Sequence, residues 1–148
     1  MNHLSKIDNF LNKINKLNIL VIGDVMLDKY IWGDIKRISQ EAPIPIIDVN
    51  SISHNIGGAG NVASNLVGLG SKVSIASITG IDKESEIISN ILKKNNIDDS
   101  MVFHLSNRKT TLKTRYLSKS QQVFRVDSED SSPLIFEAVS YTHLTLPT

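Results

Sequence analysis

Gly57-Gly58-Ala59-Gly60-Asn61-Val62-Ala63 is the stretch that decides the fold. Three glycines in four residues let the main chain approach a ligand with no Cβ in the way. The residues behind them predict a helix with Val62, Leu66 and Leu69 on one face, ended by Gly68 and Gly70. A glycine turn feeding a helix presents free N–H groups and the positive end of a dipole to an oxygen-rich ligand. Asn61, on the first helical turn, adds a side chain that both donates and accepts. The same glycines also fit a tight strand-to-helix turn that binds nothing. They form neither the G-x-G-x-x-G dinucleotide fingerprint nor a phosphate loop, which needs a Gly-Lys-Ser/Thr ending.

Upstream, residues Leu4 to Leu17 predict an amphipathic helix with Ile7, Phe10, Leu11 and Ile14 on its apolar side. The run Asn18-Ile19-Leu20-Val21-Ile22-Gly23-Asp24 has the continuous apolar character of a strand buried on both faces of a parallel sheet. Asp24 and Asp28 follow it at once. Ligands of open α/β sheets sit outside the carboxyl ends of the strands, so both acids are candidates for hydrogen bonds to sugar hydroxyls. Equally, Asp24 caps a turn and Asp28 is solvated. Tyr30 to Asp34 and Ile44 to Val49 predict short strands around an Arg37-to-Pro43 loop, with Pro43 and Pro45 suited to a sheet edge. This stretch interrupts the strand-helix rhythm, as a flap beside the main sheet would. Trp32 is placed either to cover a ligand or, as expected here, in the flap's own apolar face.

Downstream, Lys72 to Ile78 reads as a second strand, and Asp82 caps a helix running to about Asn95 with Ile87, Ile88, Ile91 and Leu92 inward. Met101 to Leu105 is a short strand. Thr110 to Leu117 and Gln122 to Asp127 alternate as a hairpin does. Lys113, Arg115 and Arg125 give those strands positive side chains, for solvent or for phosphate contacts.

The 148 residues suffice for one domain, and 41% hydrophobic with 21% charged content is that of a globular chain. A net charge of +1 argues against nucleic acid. Cysteine is absent, which excludes disulfides and thiolate metal sites, and the four histidines show no ligand spacing. No apolar run approaches a membrane span, and the first residues lack a signal-peptide pattern, so a cytoplasmic protein is expected.

Gly57, Gly58, Ala59, Asn61, Ala63, Gly70 and Gly80 together match the first signature of the ribokinase-type (PfkB) carbohydrate kinases. Within that family the chain is most similar to the D-glycero-β-D-manno-heptose-7-phosphate kinases, alone or as the kinase half of bifunctional ADP-heptose synthesis proteins. Ile22 to Tyr30, Arg37 to Pro45, Thr79 to Asp82, and Gln121-Gln122 with Arg125 and Asp127 carry that similarity, over about residues 15 to 130. The resemblance implies an α/β ribokinase-like three-layer sandwich with a small β lid near residues 30–50 and 110–127. It implies ATP- and Mg2+-dependent phosphorylation of the sugar at its anomeric hydroxyl, in ADP-heptose and lipopolysaccharide core assembly. Asp28 falls on the family's sugar-gripping acid, and Gly57, Gly58 and Asn61 on its sugar-binding glycine motif. Asp24, Lys113, Arg115 and Arg125 are further substrate-binding candidates from charge and position. Implied partners are a phosphorylated sugar, a second copy joined through the lid, and a fused nucleotidyltransferase, with no nucleic acid and no membrane.

The family's catalytic Asp, in a Gly-x-Gly-Asp segment, has no counterpart here, so no catalytic residue and no full ATP or Mg2+ site is expected in this chain. Residues 138–148 match nothing in the family, and residues 131–148 read as a non-native or disordered tail on a chain truncated after the first half of the fold. Such a chain is expected to be inactive and marginally stable alone. The alternatives are another PfkB sugar or nucleoside kinase, or a non-catalytic binding or dimerisation fragment.

Overall fold

The structure, a computed structural model, describes residues 3–133, so most of the expected tail lies outside the described residues. The elements run α1 (His3–Ile14), β1 (Asn18–Ile22), β2 (Val25–Ile38), β3 (Pro45–Gly58), α2 (Ala59–Gly68), β4 (Lys72–Gly80), α3 (Lys83–Lys94), β5 (Ile97–Leu105), β6 (Leu112–Ser118) and β7 (Gln121–Ser128).

A three-stranded parallel sheet has the order β1-β4-β5. Parallel strands need a crossover, and here each crossover carries a helix, α2 before β4 and α3 before β5. Both helices face the same side of the sheet. Ala63 of α2 and Ile88 and Leu92 of α3 share one core cluster with Val73 and Ile75, alternate residues of β4. Fully burying Ile75, Ile88 and Leu92 stabilises the sheet–helix layer by about 1.5–3 kcal/mol each. Helix α3 is well specified locally. The Asp82 carboxylate accepts from the Ser85 N–H at its start, Glu84 and Glu86 lie in the first turn, and Lys93 and Lys94 in the last.

A second, four-stranded sheet has the order β3-β2-β6-β7. Strands β2 and β3 form an antiparallel hairpin of 14 residues each, β6 joins β2 in parallel, and β7 returns antiparallel to β6. Lys119 and Ser120 both have positive φ, the geometry of a two-residue hairpin turn whose twist matches the strands. Val25, Leu27 and Ile56, at the near end of this sheet, belong to the same core as the parallel sheet. The Val25 N–H donates to the buried Ser77 hydroxyl at 2.9 Å, tying the two sheets together. As expected, β3 with Pro45 is an edge strand.

Several expectations need correction. Strand β1 is parallel but not buried on both faces: its central residues are half-buried and Ile22 is 70% exposed, because only β4 flanks it among the described residues. In α2 the inward side is Gly60 and Ala63 with Leu66 and Val67, so Leu66 packs inward as expected while Val62 and Leu69 are exposed. The small residues let the helix lie close over Val25 and Ile56, which a hydrophobicity count does not register. Helix α1 exposes Ile7, Phe10 and Leu11, three of the four residues on its apolar side. The flap strands are much longer than expected, and Asp28 lies inside β2 rather than in a loop. Trp32 shares the polar face of β2 with Asp28 and Tyr30, with its indole N–H toward the Ser53 hydroxyl at 3.5 Å, and is not in an apolar face.

Candidate functional site

Alternation along β2 puts Asp28 and Tyr30 on one face of the four-stranded sheet. Register brings Lys113 of β6 opposite Asp28, and Arg115 opposite Tyr30. On the next strand Asp127 faces Lys113 and Arg125 faces Arg115. The glycine motif approaches from the other side, where Gly57 of β3 pairs with Met26.

The centre of this face is an ion pair. Arg115 Nη1 donates to Asp28 Oδ1 at 2.5 Å, with side-chain exposures of only 20% and 15%. The Arg115 guanidinium also lies 5.3 Å from the centroid of the Tyr30 ring, within cation–π reach. The hydrogen bond to Asp28 raises the Arg115 pKa above its ordinary value, against the opposing effect of burial. The second carboxylate oxygen, Asp28 Oδ2, faces Gly57, where an added Cβ would stand 2.6 Å from that oxygen and 2.9 Å from Met26 Cγ. Gly57 therefore leaves room for the carboxylate that any side chain would take away.

Gly58 turns the chain into α2 with φ of 60°, a conformation suited to glycine, and a Cβ there would lie 2.3 Å from the Asp24 carbonyl oxygen. That carbonyl accepts from the Ala59 N–H at 2.9 Å. Asp24 thus contributes its main chain to the turn, and it lines a cavity of about 310 Å³ together with Met26, Ile78, Arg108 and Thr111. No side chain caps the start of α2. Asn61 is exposed on that first turn. Asp28 and Gly57 meet directly, and Asp24 meets Gly58. Asn61 follows them along the chain, and neither it nor Asp28 lines the 310 Å³ cavity or a larger, open one beside α3.

The candidate cations divide. Arg115 is bound to Asp28, and Arg125 Nε lies 2.9 Å from Asp127 Oδ1. Lys113, between the two carboxylates in register, is half-buried and forms no ion pair among the described residues.

Sequence reasoning missed the support beneath β6. Asp82 Oδ2 accepts from the Thr110 N–H at 2.8 Å, while the Thr110 hydroxyl accepts from the Gly80 N–H at 2.9 Å. Burial pushes the Asp82 pKa up, but hydrogen bonds from Thr110 and Ser85 outweigh it and hold the group below the usual carboxylate range. A Cβ on Gly80 would stand 2.4 Å from the Arg108 carbonyl oxygen. This clip fixes the chain two residues before Leu112, where β6 begins, and so sets where Lys113 and Arg115 fall. The helix cap was visible in sequence; a contact 28 residues away was not. Tyr30, beneath Arg115, was missed too, although its i+2 spacing from Asp28 was the available signal.

Among the described residues no group of three or more His, Cys, Asp or Glu side chains could hold a metal ion, and no described helix is long and apolar enough to cross a membrane.

A family model described as pfkB family carbohydrate kinase matches residues 16–145. The bifunctional protein HldE of Helicobacter pylori (strain Shi470) is 47% identical over 116 residues, which is 78% of this chain and 25% of that protein. Its counterpart in Geobacter metallireducens is 47% identical over 118 residues, 80% of this chain and 24% of the relative. The chain thus spans about a quarter of the length of these curated relatives. Among solved structures, a carbohydrate kinase from Agrobacterium tumefaciens superposes with a TM-score of 0.61 at 26% identity, covering 75% of this chain and 35% of that one. A sugar kinase from Pyrococcus horikoshii, solved in complex with ATP, gives 0.55 at 23% identity, covering 77% and 34%. The α/β architecture is the ribokinase-like one, and the chain belongs to the pfkB family of carbohydrate kinases.

Proposed function

We propose that the protein carrying this chain phosphorylates D-glycero-β-D-manno-heptose 7-phosphate at its anomeric hydroxyl, with ATP as donor, giving the 1,7-bisphosphate. The observation that carries this reading is the Asp28 carboxylate, anchored through one oxygen by Arg115 and facing the bare backbone of Gly57 with the other. An anchored carboxylate beside open main chain accepts hydrogen bonds from vicinal hydroxyls, the recurring feature of a sugar. The first turn of α2, which no side chain caps, follows Gly58 directly and carries the exposed Asn61. The 47% identity to bifunctional HldE proteins supports heptose over other sugars and supports a second activity, a nucleotidyltransferase, on the same polypeptide.

ATP and Mg2+ belong to this reaction, yet the chain has no Gly-x-Gly-Asp segment, and its described residues include no metal-holding cluster. The residues named above are assigned to holding the sugar. The four-stranded sheet serves as the lid. On its far face Ile52, Phe124 and Val126 are about half exposed, and a second copy covers them; sedimentation of the intact protein as a dimer checks this.

ADP release by the intact protein tests the main reading, with heptose 7-phosphate, fructose 6-phosphate and adenosine offered in parallel. A preference for the heptose phosphate of roughly a hundredfold or more in kcat/KM is expected. Equal or better turnover of adenosine would transfer the protein to the nucleoside kinases of the family.

A further inference from the structure

We propose that Lys113 is the residue that recognises the substrate's phosphate, and so decides that the site takes a phosphorylated rather than a plain sugar. This rests on the sugar-kinase reading above. One face of the four-stranded sheet carries three cations, Lys113, Arg115 and Arg125, and two carboxylates, Asp28 and Asp127. Charge alone makes the three cations equal candidates. Their contacts separate them. Arg115 is committed to Asp28 at 2.5 Å and stacked on Tyr30, and Arg125 is committed to Asp127 at 2.9 Å. Either arginine could take a phosphate only by releasing a carboxylate, and for Arg115 that carboxylate is the sugar grip itself.

Lys113 has neither commitment. It stands opposite Asp28 on one side and Asp127 on the other, and its ammonium pairs with neither. The positive charge left over on this face is therefore its own. It is half-buried, unlike the exposed Lys119 at the hairpin turn, so its field is less screened by solvent. An ammonium with three rotatable donors suits a phosphate monoester as a point charge, with no fixed fork geometry to satisfy. Its main chain lies about 4.8 Å from that of Asp28, the spacing of neighbouring strands. A hydroxyl on Asp28 Oδ2 and a phosphate a few bonds away on the same small molecule fit that separation.

The test measures kcat and KM of the intact protein for heptose 7-phosphate and for the same heptose without its phosphate. Wild type, Lys113→Met, Lys113→Arg and Lys119→Met are compared. Lys113→Met is expected to raise KM for the phosphorylated sugar about ten- to hundredfold, the range for a lost charge-assisted hydrogen bond, while turnover of the unphosphorylated heptose stays near wild type. Lys113→Arg restores most of the preference, and Lys119→Met leaves it intact. If Lys113→Met keeps the wild-type preference, or loses both sugars equally, the assignment is overturned. If the wild-type protein phosphorylates neither sugar, the kinase reading fails first, and that result is visible before any variant is made.

Discussion

Two glycine–aspartate pairs sit near the start of β6 and spend their chemistry differently. At the clip after β4, a Cβ on Gly80 would meet the Arg108 carbonyl oxygen, the Thr110 nitrogen and the Asp82 carboxylate, and both Asp82 oxygens accept from main-chain N–H groups. At the rim of the four-stranded sheet, the three atoms nearest a Cβ on Gly57 would be side-chain atoms of Asp28 and Met26, and Asp28 bonds to another side chain. A glycine whose neighbours are backbone cannot gain a methyl without moving the fold. One whose neighbours are flexible side chains can, at the expense of where those side chains point. The clip is built for position, the rim for a ligand.

The largest effect that would break this contrast is at the clip. Asp82→Ala removes the helix cap, worth about 1 kcal/mol, and orphans the Thr110 N–H, worth about 1–3 kcal/mol. A loss of about 2–4 kcal/mol in urea unfolding of the intact protein is expected, with sugar KM unchanged in the fraction that stays folded. At the rim, Asp28→Asn reverses the pattern. It keeps the shape, removes the charge that Arg115 and the sugar share, and should lower kcat/KM about a hundredfold, equivalent to about 2.7 kcal/mol, with a melting temperature within a few degrees of wild type. If Asp28→Asn unfolds the protein and Asp82→Ala abolishes turnover without destabilising it, the two roles have been assigned backwards. Gly57→Ala sharpens the same comparison at smaller scale. The methyl displaces Asp28 Oδ2, so KM for the sugar rises about tenfold while stability falls by about 1 kcal/mol or less.

The parts of this arrangement that were legible in the sequence are the local ones. The Asp82 cap, the α3 face of Ile88 and Leu92, and the β6–β7 hairpin each follow from a few adjacent residues. The glycine motif and Asp28 were legible as a pair through the resemblance to the carbohydrate kinases, and Asp28 also from its place just after the first apolar run. The pairing of β2 with β6 was not legible from the residues. Nothing in Tyr30 or Arg115 announces that β2 and β6 lie side by side, since their contact joins residues 87 positions apart in the case of Asp28 and Arg115. For that reason Lys113, Arg115 and Arg125 looked alike as charges, and only register separates them. Burial misled in the other direction: Val62 and Ile22 are apolar at the expected spacing and still exposed, because Gly60 and Ala63 take the inner side of α2 and β1 has a single described neighbour.

The smallest effect is a pH dependence, and it separates the two aspartates by mechanism. Asp82 is worth more to the fold charged than neutral, because the N–H groups of Thr110 and Ser85 outweigh its burial and depress its pKa. A carboxylate depressed in the folded state gives its stability in full above its unfolded value, near 3.9 for an ordinary aspartate, and loses it as pH falls through the lower folded value. The gap in unfolding free energy between wild type and Asp82→Ala should therefore be widest at about pH 7 and narrow by about pH 3. Because Asp82 is only half-buried, solvent screening keeps this narrowing smaller than the mutation's whole effect. Urea titrations of both proteins at the two pH values measure it. A gap that stays constant would mean that the clip works by shape and helix-capping geometry alone, and a gap that widens toward acid would mean that the neutral acid is the stabilising form. Either result would remove the charge from the account of how β6 is held, and leave Asp28 as the one aspartate of the pair whose charge matters.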